Sequence, residues 1–211
     1  NSVVISAVNA YKTAIKQGGD KGKIYLLIAN VYKHFSKVPE AISAYKKAMA
    51  WDENNEKVII GLAELYNIEN DTASAIVLIK AFEASHQLSE HLVEVLANAY
   101  LRTKQYDLAE KYYNKRIEIL NNTSYVALNL LDYQRAKAFA ISSLALVDNQ
   151  PDSLDTLGWI YYHTKEFNEA LPLFRKALAI NNSNSVVKYH LALTLKALNR
   201  DKEAVKLMVD E

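Results

Sequence analysis

Five short stretches decide how this chain folds: Ile28-Ala29-Asn30-Val31-Tyr32, Leu62-Ala63-Glu64-Leu65-Tyr66, Leu96-Ala97-Asn98-Ala99-Tyr100, Leu157-Gly158-Trp159-Ile160-Tyr161 and Leu191-Ala192-Leu193-Thr194-Leu195. The first three start at 28, 62 and 96, and the fifth starts 34 residues after the fourth. Each sets an apolar residue beside a small one, with Tyr or Leu three positions after the small residue. A fixed period of this length signals stacked units, each too small to bury a core alone.

A second signature follows each copy. It reads Pro39-Glu40-Ala41-Ile42 with Tyr45 and Ala48, then Ala75 with Ile79 and Phe82, then Tyr106-Asp107-Leu108-Ala109 with Tyr113. Tyr133-Gln134-Arg135-Ala136, Phe167-Asn168-Glu169-Ala170 with Phe174 and Ala177, and Lys202-Glu203-Ala204 with Met208 continue it. Spacings of three, four and seven are helical. The small residues fall where two helices approach closely, and the rings fill the space beside them. Half of the 211 residues are apolar, while Gly 5 and Pro 3 are scarce. Turn-rich β folds lean on those two residues, so the composition also points to helices.

A 34-residue period with Leu-Gly, Tyr, Ala, Phe and Ala in this order resembles the tetratricopeptide-repeat (TPR) family. Pro151 to Asn184 is the fullest copy, with Leu157, Gly158, Tyr161, Ala170, Phe174 and Ala177 all in place. The proline that often closes such a repeat is replaced here by Asn and Asp, as in Asp52-Glu53-Asn54-Asn55 and Asn181-Asn182-Ser183-Asn184. Those residues still supply turn and N-cap chemistry. The resemblance implies an all-α solenoid, a right-handed superhelix of antiparallel helix pairs with about six repeats including partial ones. The expected layout is a single array over 1–211: a half repeat 1–21, repeats 22–55, 56–89 and 90–123, a shortened unit 124–150, then 151–184 and 185–211. Ala7, Tyr11 and Ala14 carry the second-helix signature alone, which suggests a fragment of a longer array.

The shortened unit is seven residues below the period, and the loss is expected between Tyr125 and Tyr133. Two readings follow: a first helix truncated by about two turns, or residues absent from the chain between Leu131 and Asp132. The second is favoured because Leu130-Leu131 runs into Asp132-Tyr133 with no visible turn.

The family resemblance implies a scaffold that holds a protein or peptide in a concave groove, with no cofactor and no catalysis. Positions i, i+4 and i+7 of the first helices would face that groove. They are Leu26, Asn30 and Lys33; Ile60, Glu64 and Asn67; Glu94, Asn98 and Leu101; Asp155, Trp159 and Tyr162; and Tyr189, Leu193 and Lys196. Trp159, Tyr162 and Tyr189 are the aromatic anchors expected of a hot spot; the competing reading packs these rings on the next repeat. Asn30 and Asn98 could hydrogen-bond an extended backbone. Chaperone-binding relatives grip a C-terminal carboxylate with Lys, Asn and Arg, but Glu64 and Glu94 stand at the matching places here. That activity is not expected.

Leu154-Asp155-Thr156-Leu157-Gly158-Trp159-Ile160 and Tyr189-His190-Leu191-Ala192-Leu193 are similar to exported bacterial TPR lipoproteins linked to the PEP-CTERM/exosortase system. That narrower resemblance implies a periplasmic or outer-membrane-anchored scaffold in exopolysaccharide or surface-protein export, with a lipid anchor possible upstream. The alternatives are a cytoplasmic setting, or a regulatory arm of an enzyme whose catalytic domain lies elsewhere. Self-association through the terminal half repeat is a further expectation.

A net charge of +1 gives no reason to expect nucleic acid, and no apolar run approaches the ~20 residues of a membrane span. Without cysteine there is no disulfide or thiolate chemistry. His34, His86, His91, His163 and His190 show no metal-ligand spacing and read as exposed or capping residues. Lys46-Lys47 and Lys115-Arg116 read as solvated faces. No phosphate loop or nucleophile elbow is present.

Overall fold

The computed structural model describes residues 2–209. Twelve helices follow one another there, with no strand among the described residues. They are α1 (Ser2–Lys16), α2 (Lys21–His34), α3 (Val38–Met49), α4 (Glu56–Ile68), α5 (Thr72–Glu83) and α6 (Glu90–Arg102). α7 (Tyr106–Asn129), α8 (Tyr133–Leu146), α9 (Pro151–His163), α10 (Phe167–Ile180), α11 (Ser185–Ala197) and α12 (Asp201–Val209) complete the order.

One turn, repeated six times, organises them. Ser36, Asn70, Lys104, Leu131, Lys165 and Asn199 are left-handed, with φ between 55° and 64°. Each ends the first helix of a pair. The next residue sends its N–H back five positions: Lys37 to Tyr32, Asp71 to Tyr66, Gln105 to Tyr100, Asp132 to Ala127, Glu166 to Tyr161 and Arg200 to Leu195, all at 2.8–2.9 Å. This is the Schellman closure, which satisfies helix-end carbonyls that would otherwise lack partners. The signature Tyr or Leu therefore also marks the carbonyl that closes the helix. Successive turns are 34 residues apart, except that Leu131 follows Lys104 by 27.

The short step corrects the sequence expectation. The junction from Leu130 to Asp132 is a regular member of the turn series: Leu131 N–H donates to Leu128 O and Asp132 N–H to Ala127 O, both at 2.9 Å. What is lost is the loop between the third and fourth pairs. The second helix of one and the first helix of the next are a single helix, α7, of 24 residues. Counting back from Leu131 puts Ser124 where the other pairs have Ala29, Ala63, Ala97 and Gly158. Ser124 is fully buried, and its hydroxyl donates to Ala136 O at 2.7 Å.

The chain divides into two compact units, Asn1–Tyr113 and Asn114–Glu211. In the first, α1 packs on α2, α2 on α3, α3 on α4, α4 on α5 and α6, and α5 on α6. In the second, α8 packs on α9, α9 on α10 and α11, α10 on α11, and α11 on α12. The small residues sit where expected. Ala41, Ala109, Gly158 and Ala170 are all buried. A Cβ on Gly158 would stand 2.8 Å from the Phe174 ring, so nothing larger than hydrogen fits between α9 and α10 there. Apolar stripes of both helices in each pair close on one core, with Tyr45, Leu62 and Leu65 central in the first unit and Phe174, Leu154 and Leu191 in the second.

Candidate partner-binding faces

In the first unit, α2, α4 and α6 each place one polar residue six positions before the turn: Asn30, Glu64 and Asn98. Each has a dedicated partner. Tyr45 Oη on α3 donates to Asn30 Oδ1 at 2.6 Å, and Tyr113 Oη on α7 donates to Asn98 Oδ1 at 2.6 Å. The corresponding second-helix residue of the middle pair is Ile79, which has no hydroxyl. Glu64 instead accepts from Lys33 Nζ of the preceding first helix and from His91 Nε2 of the following one, the latter at 2.9 Å. One carboxylate thus links three successive first helices.

These partners fix charge and polarity. Burial acts to raise the Glu64 carboxyl, but hydrogen bonds from Lys33 and His91 outweigh it and hold the group below its ordinary value. Burial, with the negative charge of Glu64 nearby, pushes the Tyr45 phenol up to about 12, so it remains a donor. With Oδ1 taken, Asn30 and Asn98 keep the two N–H bonds of Nδ2 for solvent or a partner. Both asparagines are exposed. Lys33, Glu64, Asn67, Asn98 and Arg102 line an open hollow on this face. Asn67 Oδ1 is buried there without a hydrogen-bond partner, while the Arg102 guanidinium donates to Asn67 O and to Asn70 Oδ1, each at 3.2 Å. The expected repulsion of a carboxylate by Glu64 is softened, because Lys33 and His91 already engage it.

The second unit presents rings at the same places. Trp159 on α9 stacks on Tyr162 with centroids 4.8 Å apart, and on His190 of α11 with centroids 4.0 Å apart. His190 Nδ1 bonds Asp155 Oδ1 at 2.8 Å, tying α9 to α11. Trp159, Tyr162 and Asp155 are half-buried, and the Trp159 ring packs on the next pair through His190. His190 corrects an expectation, since its side chain is only 12% exposed and serves in this stack, not as a surface or capping residue. His163 packs edge-on against Trp159, and burial, followed by the nearby His190, holds its ring below the ordinary value. Tyr189, 52% exposed, and Lys196, also exposed, remain open to solvent.

One residue of this face escaped the sequence reading. The Leu131 turn places Tyr125 in the same position as Asn30, Glu64, Asn98 and Trp159, and it is 53% exposed. The signal available was Ala136, which aligns with Ala41, Ala75, Ala109 and Ala170; five residues before it lies the turn, and six before that lies Tyr125. No group of three metal-ligating side chains exists among the described residues, and none of the described helices is long and apolar enough to cross a membrane.

Sequence models described as tetratricopeptide repeat match residues 151–184, and residues 22–55 and 94–123. No curated protein matches the chain. Among solved structures it is similar to YrrB, described as a TPR protein with an unusual peptide-binding site, at 16% identity and a TM-score of 0.48, covering 86% of this chain and 97% of that one. It is also similar to Pseudomonas aeruginosa pilF, at 17% identity and 0.43, covering 89% and 88%. A third is the APC/C hetero-tetramer Cut9–Hcn1, at 19% identity and 0.48, covering 99% of this chain but 44% of that one. The three matched segments are tetratricopeptide repeats, and the turn found in each of them recurs at every helix pair of this all-α chain.

Proposed function

We propose that the chain is a binding scaffold that holds a protein or peptide in the groove lined by its first helices and carries out no reaction of its own. The observation that carries this is the pair of exposed carboxamides, Asn30 and Asn98, each held by a buried or half-buried tyrosine so that its N–H groups are free. Side chains locked by second-helix partners lose little entropy on binding, which is what a preorganised surface requires. Tyr125 and Tyr189 supply the exposed rings of the second unit, with Lys196 exposed seven residues beyond Tyr189. Aromatic side chains with polar neighbours are the usual source of interface energy. A bacterial envelope setting rests only on the C-terminal sequence resemblance, and fractionation of the native cell tests it.

The test of the binding face is affinity purification from the native cell, read by quantitative mass spectrometry. Wild type is compared with Asn30→Ala/Asn98→Ala and with Tyr125→Ala/Tyr189→Ala. A protein retained by wild type and depleted about tenfold by one double variant is expected. An unchanged retained set with both variants refutes the face as the binding surface.

A further inference from the structure

The whole-chain charge of +1 conceals a partition inside the first unit. Residues 1–50 hold eight lysines, no arginine, and only Asp20 and Glu40 as acids, a formal +6. Residues 51–113 hold five basic against eleven acidic side chains, a formal −6. Two of the eight lysines are already paired, Lys33 with Glu64 and Lys23 with Asp20. Several of the others gather around α3. Lys46 and Lys47 are exposed on it, and Lys12 and Lys16 are exposed one helical turn apart on α1.

Between α1 and α3 runs a trough with α2 as its floor. Its floor is largely apolar, with Tyr25, Ile28, Tyr32 and Ala44, and Lys12 and Lys47 stand at its rims with Glu40 as its one acid. The Lys47 ammonium lies over the Tyr25 ring at 5.7 Å from the centroid, so a cation is already held against the aromatic wall. Tyr25, Ile28 and Tyr32 form a different flank of α2 from Asn30 and Lys33, which places this surface apart from the first-helix face.

We propose that the trough is a second docking site, for an acidic segment of a partner protein that intersperses carboxylates with apolar side chains. Apolar groups would cover the half-buried Tyr25 and Tyr32 while carboxylates meet Lys12 and Lys47; Lys16 and Lys46 extend the basic rim. A lipid bilayer is a poorer fit, because the apolar floor is recessed between two helices and a flat surface cannot reach it. Nucleic acid is a poorer fit too, since the region has no arginine to fork a phosphate or a guanine. Charge complementarity favours a segment, because a single extended or helical stretch fills a space one helix wide.

The experiment selects peptides from a displayed random library on the full chain and titrates the enriched sequences by fluorescence anisotropy. Lys12→Glu/Lys47→Glu is compared with wild type and with Asn30→Ala/Asn98→Ala; all four positions are exposed. The expected result is enrichment of acidic, apolar-containing peptides whose affinity falls about tenfold or more in the charge-reversed variant, weakens with salt, and stays within about twofold in the asparagine variant. Enriched peptides without an acidic excess overturn the proposal, as does equal affinity for the charge-reversed variant or loss only in the asparagine variant. Tighter binding of phosphatidylserine–phosphatidylcholine vesicles or duplex DNA than of any selected peptide reassigns the basic surface and overturns it. A salt-sensitive dimer in sedimentation, abolished by the charge reversal, gives the trough to a second copy and overturns it as well.

Discussion

Gly61→Ala is the sharpest test of how adjacent repeats touch. Gly61 lies on α4, and a Cβ there would collide with Tyr45 Cζ and stand 2.5 Å from Tyr45 Oη on the preceding α3. Ordinary contact begins near 3.4 Å, so the ring must retreat by roughly 1 Å within a close-packed core. Tyr45 is only 1% exposed and its hydroxyl is committed to Asn30 at 2.6 Å, so the retreat has no free direction. Three effects compete. Alanine is the better helix former by about 1 kcal/mol; overpacking costs about 1–3 kcal/mol; and loss of the Tyr45–Asn30 bond costs about 1 kcal/mol. The net expectation is destabilisation of about 1–3 kcal/mol. A central value of about 2 kcal/mol lowers the melting temperature by about 4–8 °C for a chain of this size, read by circular dichroism. The same substitution in a Tyr45→Leu background, where the far ring atoms are gone, should be neutral or stabilising by up to about 1 kcal/mol. The double-mutant cycle isolates the contact. Equal destabilisation in both backgrounds, or a raised melting temperature in wild type, refutes the packing account.

Leu131→Gly should stabilise by about 1 kcal/mol, because a left-handed leucine carries a steric penalty of about 1–2 kcal/mol and this one is exposed; a lower urea midpoint would contradict the turn assignment. Phe174→Ala should cost about 3–5 kcal/mol by leaving a cavity against Gly158, and Ala170→Leu about 1–3 kcal/mol by overpacking; unchanged melting of either counts against close helix contact. The Glu64 carboxyl is held below its ordinary 4.5, so its link to Lys33 and His91 contributes fully above that value. That contribution fades as pH falls through the lower folded value. Glu64→Gln should therefore flatten acid unfolding below about 4.5, and an unaltered acid limb in urea titrations would show that the link carries no stability.

Much of the fold was legible because the period forces the same small residue into the same contact each time. Ala41, Ala75, Ala109, Ala136, Ala170 and Ala204 share one offset from the turn, and no other arrangement accounts for that run. Which residues share one face of each first helix was legible for a similar reason, since a helix face follows from spacing alone. What those positions do was not. Asn30 finds its partner 15 residues away in Tyr45, and Lys33 finds Glu64 31 residues away, so which side chains stay free depends on the packing of neighbouring pairs. Trp159 reads as an anchor in sequence, and the stack of His190 from the next pair on its ring was not readable there.

The α7 junction shows where sequence reasoning fails and why. A turn is recognised from Gly, Asn or Asp, the residues that enter the left-handed region at low cost. Leu130-Leu131 offers none of these, and so the junction looked like a gap. The closure there draws on two backbone bonds, Leu131 to Leu128 and Asp132 to Ala127, and on Asp132 Oδ1, which accepts from Arg135 N–H at 3.2 Å to cap α8. Backbone geometry common to all six pairs thus overrides the preference of the residue occupying it.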